Sequence, residues 1–123
     1  IAGFSGAKKI YKLPMNADGT PAGALEIWAE SVGSGWLDGI GVDYCGNLYI
    51  ADYDRSQILR YDKDANYIDK VIDEQGSWAY LPNMQWGSGV GDWNPLFLYF
   101  PEGWQSNKMY ELELGIPSKS RAQ

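Results

Sequence analysis

The chain has no histidine and a single cysteine, Cys45. Their scarcity argues against a zinc site built within this chain, because protein zinc is held mainly by Cys and His. One cysteine also rules out an intrachain disulfide. It fits a reducing compartment, although many folds need no cross-links in any compartment. Positive charge is scarce as well: 10 Lys and Arg against 16 Asp and Glu, a net charge of −6. A nucleic-acid surface should be basic, so nucleic acid is not an expected partner. No run reaches the roughly 20 apolar residues of a membrane helix, so no membrane contact is expected. No charged segment followed by an apolar run marks a signal peptide. The chain opens on Ile1 rather than Met, which suits an internal or processed boundary. It is read as soluble, with its compartment unassigned. Helical periodicity is missing throughout.

What is present is glycine and aromatic side chains: 15 Gly, 6 Trp and 9 Tyr in 123 residues. Tight turns and large β-favouring side chains suit an all-β fold. The stretch from Leu37 to Tyr53 organises the rest. Ile40, Val42 and Tyr44 alternate with Gly41, Asp43 and Cys45, the period of a strand with one buried face. Cys45-Gly46-Asn47 is a turn, and Leu48 to Ala51 a second, continuously apolar strand. Ser56 to Tyr61 reads as a third strand and Tyr67 to Ile72 as a fourth. The polar turn Asp62 to Asn66 separates them. Four short antiparallel strands in succession make one propeller blade.

The motif recurs. Lys9 to Leu13, Gln57 to Tyr61 and Lys108 to Leu112 are three versions of one strand. Ile10 and Ile58 stand 48 positions apart, Ile58 and Met109 stand 51 apart, and Asp38 and Asn83 stand 45 apart. Propeller repeats run about 40 to 50 residues. A β-sandwich with coincidental spacing is the alternative. The expectation is a single, incomplete propeller region. Residues 1–36 form the outer half of one blade, with strands at Ala7 to Leu13 and Leu25 to Glu30. Residues 37–77 form a complete blade. Residues 78–115 form a last blade lacking its outer strand, and 116–123 a polar tail.

Two and a half blades cannot close a ring that needs about 4 to 8. The flanking blades should therefore offer apolar faces and unpaired strand edges. The expected partner is the remainder of the propeller, in the same longer chain or in partner subunits.

The residues from Asp38 to Asp43 and from Gly46 to Asp52 resemble the signature of the senescence marker protein/gluconolactonase/regucalcin-like family. Asn83 to Gly87 resembles that family's later Asn-apolar-x-aromatic-Gly stretch, and Lys108 to Gly115 its final strand. The sequence departs from the pattern at Leu37, where Pro is usual, and at Gln85-Trp86, where Ala-Phe is commoner. The resemblance implies the C-terminal two-fifths or so of a six-bladed propeller. It also implies a metal-dependent hydrolase that opens a lactone or related ester of a small, sugar-derived substrate. A divalent metal would sit at the mouth of the central channel, with Asp38 the one family ligand that maps here. Asp38 is also the candidate general base, and Asn83 a substrate-binding residue at the same mouth. The implied cofactor is Ca²⁺, with Mg²⁺, Mn²⁺ or Zn²⁺ possible in the complete site. On the residues alone, Asp38 reads more simply as a turn cap.

Three other signals compete. Asp62-x-Asp64-x-Asn66 imitates the start of an EF-hand loop. Tyr67 stands where that loop needs Gly, so a solvated hairpin turn is expected. Gly87 to Gly91 is glycine-rich but leads into no helix to receive a phosphate. Trp93 and Trp104 lie in glycine-rich loops and could stack on sugar rings. They motivate a second reading, a non-catalytic module binding carbohydrate or protein through loop aromatics. A third is an acidic partial propeller completed by oligomerisation.

Overall fold

A computed structural model describes residues 2–3, 8–34, 36–73, 80–103 and 108–119. Among these residues ten strands form three antiparallel sheets. The first contains β1 (Ala2–Gly3), β2 (Ile10–Lys12) and β3 (Glu26–Ala29). The second contains β4 (Leu37–Val42), β5 (Leu48–Asp52), β6 (Gln57–Tyr61) and β7 (Tyr67–Asp73), paired in that order. The third contains β8 (Gln85–Trp86), β9 (Phe97–Pro101) and β10 (Met109–Glu113), with β9 in the middle. The fold is all-β, a partial β-propeller. The two outer sheets each show three strands, whereas the repeat in the sequence points to two in the first. The added strand, β1, is only two residues long and carries no period to read. Among the described residues no helix is long and apolar enough to cross a membrane.

The sheets pack face to face because β5 is buried along its whole length. Its alternating side chains feed two separate cores. Leu48 and Ile50 join Ile10, Ala29, Val32, Leu37, Leu59 and Tyr61 against the first sheet. Tyr49 and Ala51 join Ile58, Leu81, Met84, Trp86, Leu98 and Phe100 against the third. A strand covered on both faces needs apolar residues at consecutive positions, which explains the unbroken run Leu48 to Ala51. Among the described residues the outward faces of the flanking sheets have no such cover. Ile27 in the first, Leu25 just before that strand, and Met109 in the third are each about half exposed.

Local irregularities redirect several side chains. Tyr44, read as inward-facing, is 61% exposed, whereas Asp43 is buried. The strand stops at Val42, and Asp43 instead ties the turn. Its carboxylate accepts from the Asn47 N–H (2.9 Å), Asn47 Nδ2 (2.8 Å) and the Tyr49 hydroxyl (3.1 Å). Ile27 and Ala29, which a regular strand would put on one face, are split by a bulge. Ile10 pairs with Ala29 but Tyr11 with Ile27. The extra residue, Trp28, packs on the core beside Ala29. Residues 116–118, read as tail, run back across the second sheet. Trp86 Nε1 donates to Ile116 O (2.9 Å), and the Tyr44 N–H donates to Pro117 O (2.8 Å). Ser118 bridges to Asp43.

Two outcomes follow from this packing. Replacing Ile50 by Ala leaves a hole at the centre of the first core, and should cost about 2–5 kcal/mol in chemical denaturation. Burial raises the ionisation of Tyr49 and Tyr61 above the ordinary phenol value of 10.0. The unfolded chain then loses these protons first as pH rises. Stability should therefore fall above about pH 10, and fall further as pH climbs toward the folded-state values. Tyrosinate absorbance followed against pH should show both phenols ionising after the exposed tyrosines.

Candidate functional site

The site begins with a β-bulge. Leu37 pairs with Asp52 and Ile40 with Ile50, so β4 advances three residues while β5 advances two. Asp38 and Gly39 are the two residues set against one. Leu37 is anchored in the core at 6% exposure, while Asp38 is exposed. The bulge thus turns Asp38 out of the sheet at the end where β4 starts. Among the described residues its carboxylate has no hydrogen-bond partner. The reading of Asp38 as a turn cap would require one.

Asn83 stands beside this bulge. The Gly39 N–H donates to Pro82 O at 2.7 Å, joining the entrances of two successive blades. A Cβ on Gly39 would lie 2.3 Å from Asn83 Oδ1 and 2.6 Å from Asn83 Cα. Only glycine lets the backbones approach this closely. Asn83 Oδ1 accepts from the Met84 N–H at 2.8 Å, and the exposed amide keeps its Nδ2 donor for another acceptor. The structure therefore brings Asp38 and Asn83 to one entrance, at adjoining ends of β4 and β8. Below them a cleft of about 330 Å³ runs between these strands, lined by Ile40, Val42, Met84, Trp86 and Ser118 among others.

Trp93 is elsewhere. The chain runs from Asn83 through β8 into the connection to β9, which the Gly89 N–H closes on Trp93 O (2.7 Å). Trp93 thus sits at the opposite end of the sheet from Asn83. The residue is 48% exposed, and its ring meets Tyr99 edge-on, centroids 4.7 Å apart. Trp104 lies outside the described residues. The EF-hand-like run is a turn: Asp62 accepts from the Asp64 and Asn66 N–H groups and from Asn66 Nδ2. These bonds, led by the Asn66 side chain, hold the Asp62 carboxyl below its ordinary value.

Two buried carboxylates flank the complete blade, Asp43 at one end of the sheet and Asp52 at the other. Neither stood out in the sequence as a functional candidate. The available signal was an Asp closing the apolar run Leu48 to Ala51. Further out, Arg60 forms a two-pronged bond to Asp69 at 2.9 and 2.6 Å, which raises the guanidinium above its usual value. Arg60 also lies 6.0 Å from the centre of the Tyr49 ring. That cluster is on the outer strands, away from Asp38.

No protein-family model matches the sequence, and no curated protein matches it. Among solved structures the fold has a counterpart in regucalcin from Agrobacterium tumefaciens strain C58, described as a calcium-binding protein. The superposition has a TM-score of 0.68 and 21% sequence identity, and covers 92% of this chain. The chain is similar in fold to regucalcin. It spans 40% of that protein's length. The likeness carries the β-propeller architecture.

The exposed Asp38 carboxylate at the entrance offers oxygen atoms, the chemistry that suits a hard cation. Among the described residues no three acidic or thiol side chains gather into a cluster. Ca²⁺ takes about 6 to 8 oxygens, so Asp38 fits as a fraction of such a shell. Replacing Gly39 by Ala would force the two entrances apart, because the obstructing atoms include Asn83 backbone. The expected cost is about 1–3 kcal/mol by chemical denaturation. The amide resonances of Asn83 and Met84 should shift with it.

Proposed function

We propose that this chain supplies consecutive blades to a metal-dependent lactonase-like hydrolase. The rest of the ring would come from a longer chain or from partner subunits. The observation that carries the reading is the bulge at Asp38-Gly39. It leaves the Asp38 carboxylate exposed, next to the Gly39 backbone that packs against Asn83 at the entrance between two blades. The fold shared with a calcium-binding propeller supports it, as do the half-exposed apolar faces of the flanking sheets. Those faces are what neighbouring blades would cover.

In this reading Asp38 is both a ligand for a divalent cation, Ca²⁺ first, and the group that takes a proton from the attacking water. A carboxylate is competent for both roles when water and ligand lie on its two oxygens. When bound, the cation supplies Lewis-acid polarisation of a lactone carbonyl and acidifies a water. Asn83 Nδ2 donates to an oxygen of the substrate, a small lactone or sugar-derived ester. Its partner Oδ1 is held by the Met84 N–H, so the amide is already oriented.

The test is Asp38→Ala in the complete protein, followed by calcium titration and lactone hydrolysis. Loss of calcium binding and a fall in turnover of about 10²-fold or more is expected. Adding chelator should abolish turnover in the unmodified protein. Undiminished binding and turnover in the variant would overturn the assignment.

A further inference from the structure

Asp52 ends β5 at 0% exposure. Three donors reach its two oxygens: the Ser34 N–H at 2.8 Å, the Ser34 hydroxyl, and Gln57 Nε2 at 2.6 Å. Among the described residues no Lys or Arg pairs with it. Turning Nε2 toward Asp52 leaves Gln57 Oε1 buried without a partner. This arrangement is costly. Burying a carboxylate among neutral dipoles sacrifices hydration that an apolar side chain would not need. Stability alone gives little reason for an acid here.

What Asp52 holds is the segment that delivers Asp38. Gly33 has φ +54°, and a Cβ there would lie 2.5 Å from Asp52 Oδ2. The segment can therefore close on the carboxylate only through glycine. Ser34 follows with its two bonds. The Tyr53 N–H donates to Trp36 O at 2.8 Å, and Leu37 pairs directly with Asp52. Asp38 is the next residue. It is thus clamped from both sides, by Asp52 before it and by the Gly39–Pro82 bond after it.

We infer that Asp52, with Ser34, is the positioning residue for Asp38: it fixes the entry segment so that the bulge presents the Asp38 carboxylate beside Asn83. The inference rests on the reading of Asp38 as a metal ligand. Asp43 provides the control. It is equally buried at the other end of the same blade. Its bonds go to Asn47 and Tyr49, and none to the segment before Asp38.

The experiment compares Asp52→Asn with Asp43→Asn in the complete protein. Asparagine keeps the size but turns an N–H₂ toward one of the donors. Both variants should lower the melting temperature. Asp52→Asn alone should weaken calcium binding, by about tenfold, the usual scale for a residue supporting a metal ligand. It should also speed hydrogen exchange at the Gly39 amide, a readout that needs no metal. Asp43→Asn should leave both within twofold. If Asp52→Asn does not fold, Ser34→Ala removes one bond and should weaken calcium binding about fivefold. Equal effects of the Asp52 and Asp43 variants on calcium affinity, or unchanged Gly39 exchange in Asp52→Asn, would overturn the inference. If the unmodified protein binds no calcium, the metal reading of Asp38 fails. Gly39 exchange then still decides whether Asp52 holds the entry segment.

Discussion

Strand β5 is covered on both faces, and the arrangement of the site depends on that constraint. A strand with Leu48 and Ile50 in one core and Tyr49 and Ala51 in another cannot slip by one residue. A slip would exchange the two sets of side chains between cores shaped for different volumes. Its register fixes β4 on one side and β6 on the other. The bulge in β4 then has only one place to occur, between the anchored pairs Leu37–Asp52 and Ile40–Ile50. Asp38 owes its position to that bulge.

The same constraint explains the two buried acids. A fully apolar strand ends where the chain must turn, and its last backbone groups need partners. At one end Asp43 supplies them to the Asn47 turn. At the other Asp52 binds the segment that enters from the previous blade. The two networks look alike in chemistry but differ in reach. One closes a local turn, with its carboxylate bonds reaching no more than six residues away. The other joins residues 18 positions apart. A tether of that kind can govern where Asp38 emerges, whereas a local turn cannot.

Much of the fold was legible in the residues. Apolar alternation, Asp-Gly and Gly-Asn turns, and a repeat near 50 positions pointed to blades without any contact map. The departures share one physical cause. Trp28 and Ala29 both reach the core, and Tyr44 faces water, because a bulge or an early strand end inverts the period-2 pattern. Such inversions depend on which hydrogen bond wins locally, and alternation alone does not reveal it. The run back of residues 116–118 was hidden for a similar reason. Its bonds from Trp86 and Tyr44 are made with backbone carbonyls, which leave no mark on side-chain composition.

For the candidate site the division is sharper. The sequence by itself determined the chemistry available: no imidazole, one thiol, and an Asp-Gly and an Asn at matching places in successive repeats. Residue identity and period are local properties, and a chain carries them unfolded. Tertiary structure alone decided that Gly39, next to Asp38, packs against Asn83, and that Trp93 lies at the far end of its sheet. It also decided that Asp52, rather than any exposed acid, holds the approach to Asp38. Each of these is a contact between distant segments. Such contacts exist only once two cores have closed on the faces of β5.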